Sequence, residues 1–300
     1  MNTQTTRCTF SIKHTLTFAL VAAAAVAAQA SAKDLDVQVY NNHDPKGFQV
    51  SSVLISGEKD AILLDAQFTL PDAQKLVEQI KASGKTLKTV FITSGDPVFY
   101  FCLCVINASL TEATSGTPPA IPKHIKETVD GKLTTWGKQM GDLVPKTATL
   151  PEAYAGNVLM LEGKRINIKH GVGEKKAETY VYIPSIQTVA GGVLVFGHLH
   201  LWTADSHTLK ARQDWVKSLK AIAALKPKTV IPGHFQQDAS QSLASVRYSQ
   251  NYLTVFEKEL KSSKDSTALI QSMTKKYPNA GLGVALDIGA KVNKGEMQWH

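Results

Sequence analysis

The sequence predicts an α+β protein in which two sheets face each other with helices outside. Three observations carry that reading. A strand, a helix and a strand follow one another over residues 60–93, the spacing of a βαβ unit with parallel strands. The two halves of the chain echo each other, each running from antiparallel strands through a helix to a further strand. Both closing strands end in a polar turn, Thr93-Ser94-Gly95-Asp96 in one half and Pro232-Gly233-His234-Phe235 in the other, which sets both turns at one rim.

Residues 1–32 read as a signal peptide. Arg7 and Lys13 make a basic start, residues 15–29 are apolar and alanine-rich, and Ala-Gln-Ala and Ala-Ser-Ala offer small-residue cleavage sites ending at Ala30 or Ala32. The apolar run is too short for a good spanning helix, so the expectation is cleavage after Ala32, no stable membrane insertion, and a periplasmic or secreted protein over 33–300. Without Arg7 and Lys13 the net charge falls from +8 to about +6, spread in short knots; no basic tract points to nucleic acid. Cys102 and Cys104, two residues apart, are poorly placed to bridge each other and read as small residues on the helix after the first turn.

The remaining elements follow in order. "LDVQVY", "FQVSSVLIS" and "DAILLDA" read as three strands, with Gly57–Asp60 as the turn between the last two. "TLPDAQKLVEQIKASG" is a helix: Pro71 and Asp72 in its first turn, apolar residues at 73, 76, 77 and 80, Gly84 at its exit. "LKTVFITS" returns as a strand. Residues 109–122 look like loop, 123–140 like helix, and "NVLMLEGKRINIKH" like a hairpin turned at Glu162-Gly163. "ETYVYIPS" and "QTVAGGVLVFG" add a strand each. A helix over 207–225, the strand "PKTVIPGH" and a mostly helical stretch to about 276 follow; residues 277–300 carry no decisive pattern.

The functional question centres on "TVFITSGDPVFYF", a buried strand handing over to a polar turn and an aromatic run. Together with "VLISGEKDAILLDAQF", "YIPSIQTVAGG" and "KTVIPGHF", this stretch resembles the metallo-β-lactamase fold superfamily over nearly all of residues 35–262. The resemblance implies a four-layer αββα sandwich and a metal-dependent hydrolase acting on a small molecule. The family's metal motif after this strand is His-x-His-x-Asp-His, and in register this chain supplies Ser94, Asp96, Val98 and Phe99. Val98 and Phe99 cannot bind a metal, and the family's bridging aspartate is Gly192 here. Asp96, His170 and His234 keep residue types that can bind metal, and Asp65 occupies a position where the family has a supporting carboxylate.

Three expectations follow. In the first, Asp96, His170 and His234 hold one zinc or iron ion, with Asp96 also catalytic, and bound water attacks a carbonyl or phosphoryl group. In the second, the fold is kept without metal as an exported binding or scaffold protein. In the third, the chemistry has moved to "GHLHLWTADS", where His198, His200, Asp205 and His207 lie close in sequence, and His-x-His on a strand would put both rings on one face. Against that, Asp205 or Ser206 is placed to cap the helix over 207–225. Ser94 lacks the surroundings of a nucleophile, and Tyr100 and Trp202 read as pocket wall or core.

Overall fold

A computed structural model describes Met1 and residues 34–299; the signal-peptide reading, with its cleavage at Ala32, lies outside the described residues. The strands alternate between two buried faces. Val53, Ile55 and Ile62 pack against Leu159, Ile166 and Val181 of a second sheet, while Leu54, Leu63 and Val90 turn the other way onto Leu76 and Ile80 of a helix. A strand buried on both faces needs cover on both, and that requirement produces four layers, helix–sheet–sheet–helix.

The first sheet runs in order β1 (Asp36–Tyr40), β2 (Ser52–Ser56), β3 (Asp60–Leu64), β4 (Thr86–Phe91), β5 (Thr114–Thr117) and β6 (Glu152–Ala153). It is antiparallel up to β3 and parallel beyond, because α1 (Leu70–Ala82) crosses over between β3 and β4. The expected βαβ unit is present. After β4 come the short α2 (Pro97–Tyr100), α3 (Leu103–Ser109), and then β5, which lies inside the stretch read as loop. "TSGT" has no apolar side chain to announce a strand; β5 is held by backbone pairing alongside Thr89–Phe91. The long α4 (Ala120–Met140) then covers the rim.

The second sheet has the order β12-β10-β9-β8-β7, from β7 (Val158–Leu161), β8 (Lys164–His170), β9 (Thr179–Ile183), β10 (Thr188–Ala190) and β12 (Thr229–Val230). The hairpin turns at Glu162-Gly163 as expected, both with positive φ. Glu162 accepts hydrogen bonds from the amides of Glu58, Lys59 and Asp60 at 2.6–2.8 Å, tying that hairpin to the β2–β3 turn. The run "QTVAGGVLVFG" is not one strand. Gly191 and Gly192, at φ +80° and +76°, end β10, and Phe196–Gly197 (β11) pairs in parallel with β13 (His234–Phe235) instead.

Four helices complete the chain: α5 (Leu209–Ala224), α6 (Leu243–Ser262), α7 (Ser266–Lys276) and α8 (Gly283–Asn293). Thr208 caps α5, its hydroxyl accepting from the amide of Ala211 at 2.9 Å, so neither Asp205 nor Ser206 is the cap. α8 occupies part of the undecided 277–300 tail; Gly289 lets it approach Thr203, whose hydroxyl a Cβ there would strike. No helix among the described residues is long and apolar enough to cross a membrane.

Candidate functional site

Strand ends from both sheets meet at the rim and build a floor. Asp65, just after β3, is fully buried and accepts from the amide and hydroxyl of Thr93 at 2.7–2.9 Å; the Thr93 hydroxyl in turn accepts from the amide of Gly192 at 2.8 Å. Burial pushes the Asp65 carboxyl up to about 7 despite those hydrogen bonds. Gly192 has no room for a side chain, since a Cβ would overlap the Thr179 carbonyl oxygen, and Gly233 packs as tightly on the carbonyl of Gly192. The floor is made of backbone.

His234 stands at its edge. Strand register puts it beside Phe196, with the rings stacked at 4.9 Å and 16°, and the ring of Phe99 meets it edge-on at 5.4 Å. Its Nδ1 donates to the carbonyl of Phe48 at 2.8 Å, which leaves Nε2 as an acceptor without a hydrogen-bond partner among the described residues. Burial drives its pKa down to about 4, so the ring is neutral.

Above the floor opens a cavity of about 290 Å³. Phe48, Phe196, Trp202, Leu282 and Trp299 form much of one side; Asp96, Val98, Asp205 and His234 also face it. Another wall is one face of α4, where Thr128, Lys132 and Trp136 recur every four residues and Gly131 leaves open space. α4 can lie this close because Gly95 carries no side chain; a Cβ there would sit 2.7 Å from the ring of His124.

Charge concentrates where the wall meets the floor. Lys132 lies 4.0 Å from Asp96 and donates to the carbonyl of Gly95 at 3.2 Å. Lys175, only 6% exposed, points its ammonium at the carbonyl of Asp205 (3.5 Å) and at Glu178 (3.9 Å), and lies 5.2 Å from the ring centre of Trp215. Ser94 donates to Glu178 at 3.4 Å. Glu178 is raised to about 7, by burial first and then by the charges of Asp96 and Asp205, with Lys175 opposing. Asp205 is raised by burial and by Asp96, and accepts from the indole of Trp299 at 2.8 Å.

The structure therefore brings together Asp96, Asp205 and His234 of the expected site residues, with Asp65 supporting the floor. It does not bring His170, which is exposed at the end of β8 and does not line the cavity. His200 is buried elsewhere, 2.9 Å from the hydroxyl of Tyr252, and is driven down to about 4 by that burial. The His-x-His strand does not form: β11 stops at Gly197, His198 takes φ +56°, and its ring turns out to Asp238 at 3.2 Å. His207 is exposed and Tyr100 is core.

Solved structures with the same arrangement include a beta-lactamase domain protein from Burkholderia ambifaria (TM-score 0.60, 11% identity, 86% of this chain and 84% of that one). A metallo-beta-lactamase family protein from Thermus thermophilus superposes with a TM-score of 0.58 at 13% identity, over 85% and 92% of the two chains. A metallo-beta-lactamase from Pontibacter korlensis gives 0.52 at 14%, over 73% and 94%. The chain has the metallo-β-lactamase fold. No family model matches the sequence, and no curated protein does.

The residues present do not fit the metal that the metallo-β-lactamase fold implies. Among the described residues no three His, Cys, Asp or Glu side chains converge as a metal would require, so the expected Asp96, His170 and His234 set is not assembled. At the bridging position Gly192 faces a carbonyl, and Phe99 lays an apolar ring against His234 where a fourth ligand would stand. The sequence reading missed Lys132, Trp136, Lys175, Glu178 and Trp299. Only the first two left a signal, the four-residue spacing on α4; the others reach the site from loops that no local pattern joins.

Proposed function

We propose that this protein is an exported, metal-free binder of a small organic molecule that uses the rim pocket of a hydrolase fold. The observation that carries the reading is the pairing of a closed floor with an open cavity. The positions that would hold metal are filled by the backbone of Gly192 and the ring of Phe99, while beside them stands a largely apolar cavity with a few convergent polar groups. Lys132 and Lys175 stand among Asp96, Glu178 and Asp205 and offset part of their charge, so the cluster does not need a divalent metal. Elemental analysis of the mature protein after dialysis against zinc or iron is expected to give well under one equivalent. One or two retained equivalents would overturn the proposal. Intact-mass measurement on exported protein is expected to show a chain beginning at Lys33.

Asp96 and His234 facing one cavity favours a second reading, a hydrolase holding a single zinc or iron ion. The same metal measurement separates the two.

A further inference from the structure

The pocket has an electrostatic character opposite to that of the chain. The sequence carries a net charge of +8, yet Asp96, Asp205 and Glu127 line the cavity beside one lining ammonium, Lys132. Glu127 is exposed and pairs with Lys123 at 3.8 Å, which leaves Asp96 and Asp205 as the carboxylates of the pocket. Lys132 is already engaged by Asp96 and the Gly95 carbonyl. Behind the wall, Glu178 and Lys175 largely offset one another. Asp205 accepts from Trp299 and forms no close ion pair among the described residues, although the charges of Lys175 and Lys132 act on it.

The acceptor surplus does not stop at the carboxylates. His234 lines the cavity and is only 4% exposed, and its unprotonated Nε2 has no hydrogen-bond partner among the described residues. Around these acceptors stand ring faces at steep angles to one another. Phe48 and Trp136 are 5.1 Å apart at 85°, and Trp202 and Trp299 are 5.3 Å apart at 66°. Rings set this way form the sides of a box and do not fill it as a stack. Two carboxylates, an imidazole lone pair and several indole and phenyl walls make an environment that accepts hydrogen bonds and attracts positive charge.

We propose that the ligand of this pocket is an organic ammonium ion carrying a small apolar body. The inference rests on reading the pocket as a metal-free binding site. The ammonium sits between Asp96 and Asp205, the apolar body lies against the Trp136, Trp202 and Trp299 rings, and an amine N–H can be donated to His234 Nε2. Burial and then the charge of Asp96 hold the Asp205 carboxyl above its usual range, with Lys175 opposing, and a bound cation offsets the repulsion between the two carboxylates. An anionic ligand of the same size would meet two carboxylates and a lining ammonium, Lys132, that Asp96 already engages.

The test is a titration of the full mature chain, read by calorimetry and by the fluorescence of the pocket tryptophans. The probes are phenethylamine, benzyltrimethylammonium, benzyl alcohol and 3-phenylpropionate. Both cations are expected to saturate one site per chain, with benzyl alcohol about tenfold weaker or worse and phenylpropionate not binding. Asp205→Asn and Asp96→Asn should each weaken cation binding about tenfold. Lys132→Met, which leaves the carboxylates in place, should strengthen it severalfold, and this variant decides the matter if the Asn variants do not fold. Tighter binding of phenylpropionate than of phenethylamine, or cation affinity unmoved by all three substitutions, would overturn the inference. If benzyl alcohol or phenylpropionate binds and the cations do not, the choice of ligand fails while the pocket reading stands. If no probe of any charge binds, the pocket reading falls with it.

Discussion

The floor and the α4 wall of the pocket use their residues in opposite ways. On the floor, Asp65, Thr93 and Gly192 spend their polar groups on one another, and the close contacts of Gly192 and Gly233 leave no volume for a side chain. On the wall, Thr128, Lys132 and Trp136 line the cavity, and Gly131 has nothing within 4 Å of a would-be Cβ. Under the proposed binding function, the place where the fold's chemistry would lie is structural, and recognition falls to the helix above it.

Substitutions that cross this boundary test the contrast. The largest effect is expected from Gly192→Asp, the change that writes the family's bridging carboxylate back. A side chain at φ +76° overlapping the Thr179 carbonyl should cost about 4 kcal/mol or more, seen as loss of soluble protein or a collapsed denaturation midpoint. Ser94→His with Val98→Asp instead adds ligands on the turn that carries Asp96, where Val98 already faces the cavity. Zinc at 100 times its dissociation constant should stabilise that double variant by about 2.7 kcal/mol, visible as a rise in melting temperature that the unmodified protein does not show. A metal-independent melt would mean the floor is closed to ligands beyond position 192.

Lys175→Met removes the ammonium from beside Glu178 and should cost about 2 kcal/mol at alkaline pH. The sign follows from Glu178. Its folded pKa is raised to about 7, so the folded state holds a proton that the unfolded chain has released, and stability falls as pH rises from about 4.5 to about 7. Without Lys175 the carboxylate is still harder to ionise, so the deficit should be small near pH 5 and grow through neutrality. Denaturant melts across pH 5–8 check it, and a pH-independent deficit would assign Lys175 to packing on Trp215. The smallest effect is Gly131→Ala, expected to stabilise α4 by about 0.5–1 kcal/mol, since nothing opposes the added methyl. Gly131→Leu should be as stable as Ala but fill the cavity and abolish binding.

The fold was legible because it is written in periodicity. The apolar spacing of α1, the βαβ order from β3 to β4, and the Glu162-Gly163 hairpin each follow from local rules. β5 escaped because "TSGT" pairs through its backbone alone, and α8 because its buried face, Ala285, Leu286, Gly289 and Ala290, has one large apolar residue among small ones. The site was half legible. Asp96, in the turn between β4 and α2, and His234, at the start of β13, lie where the topology brings the two sheets to one rim, whatever their neighbours are. His170 and His200 were misplaced because spacing in sequence does not say which way a loop turns, and one positive φ at His198 undid the shared face of its His-x-His. Lys175 was invisible for a different reason: a lysine in a run of charges reads as surface, and only tertiary packing over Trp215 buries it.

The Asp65–Thr93–Gly192 junction has a consequence for how the molecule opens. It joins the ends of β3 and β4 in one sheet to the end of β10 in the other, through groups that are all buried. The amides of Thr93 and Gly192 can therefore exchange their hydrogens with solvent only when the two sheets part, which is close to global unfolding. The Glu58, Lys59 and Asp60 amides clamped by Glu162 are hydrogen-bonded too, but at an exposed turn that can fray by itself. Protection is thus expected to be greater beneath the pocket than at the β2–β3 turn, and a ligand of the proposed site would meet a base that is already rigid.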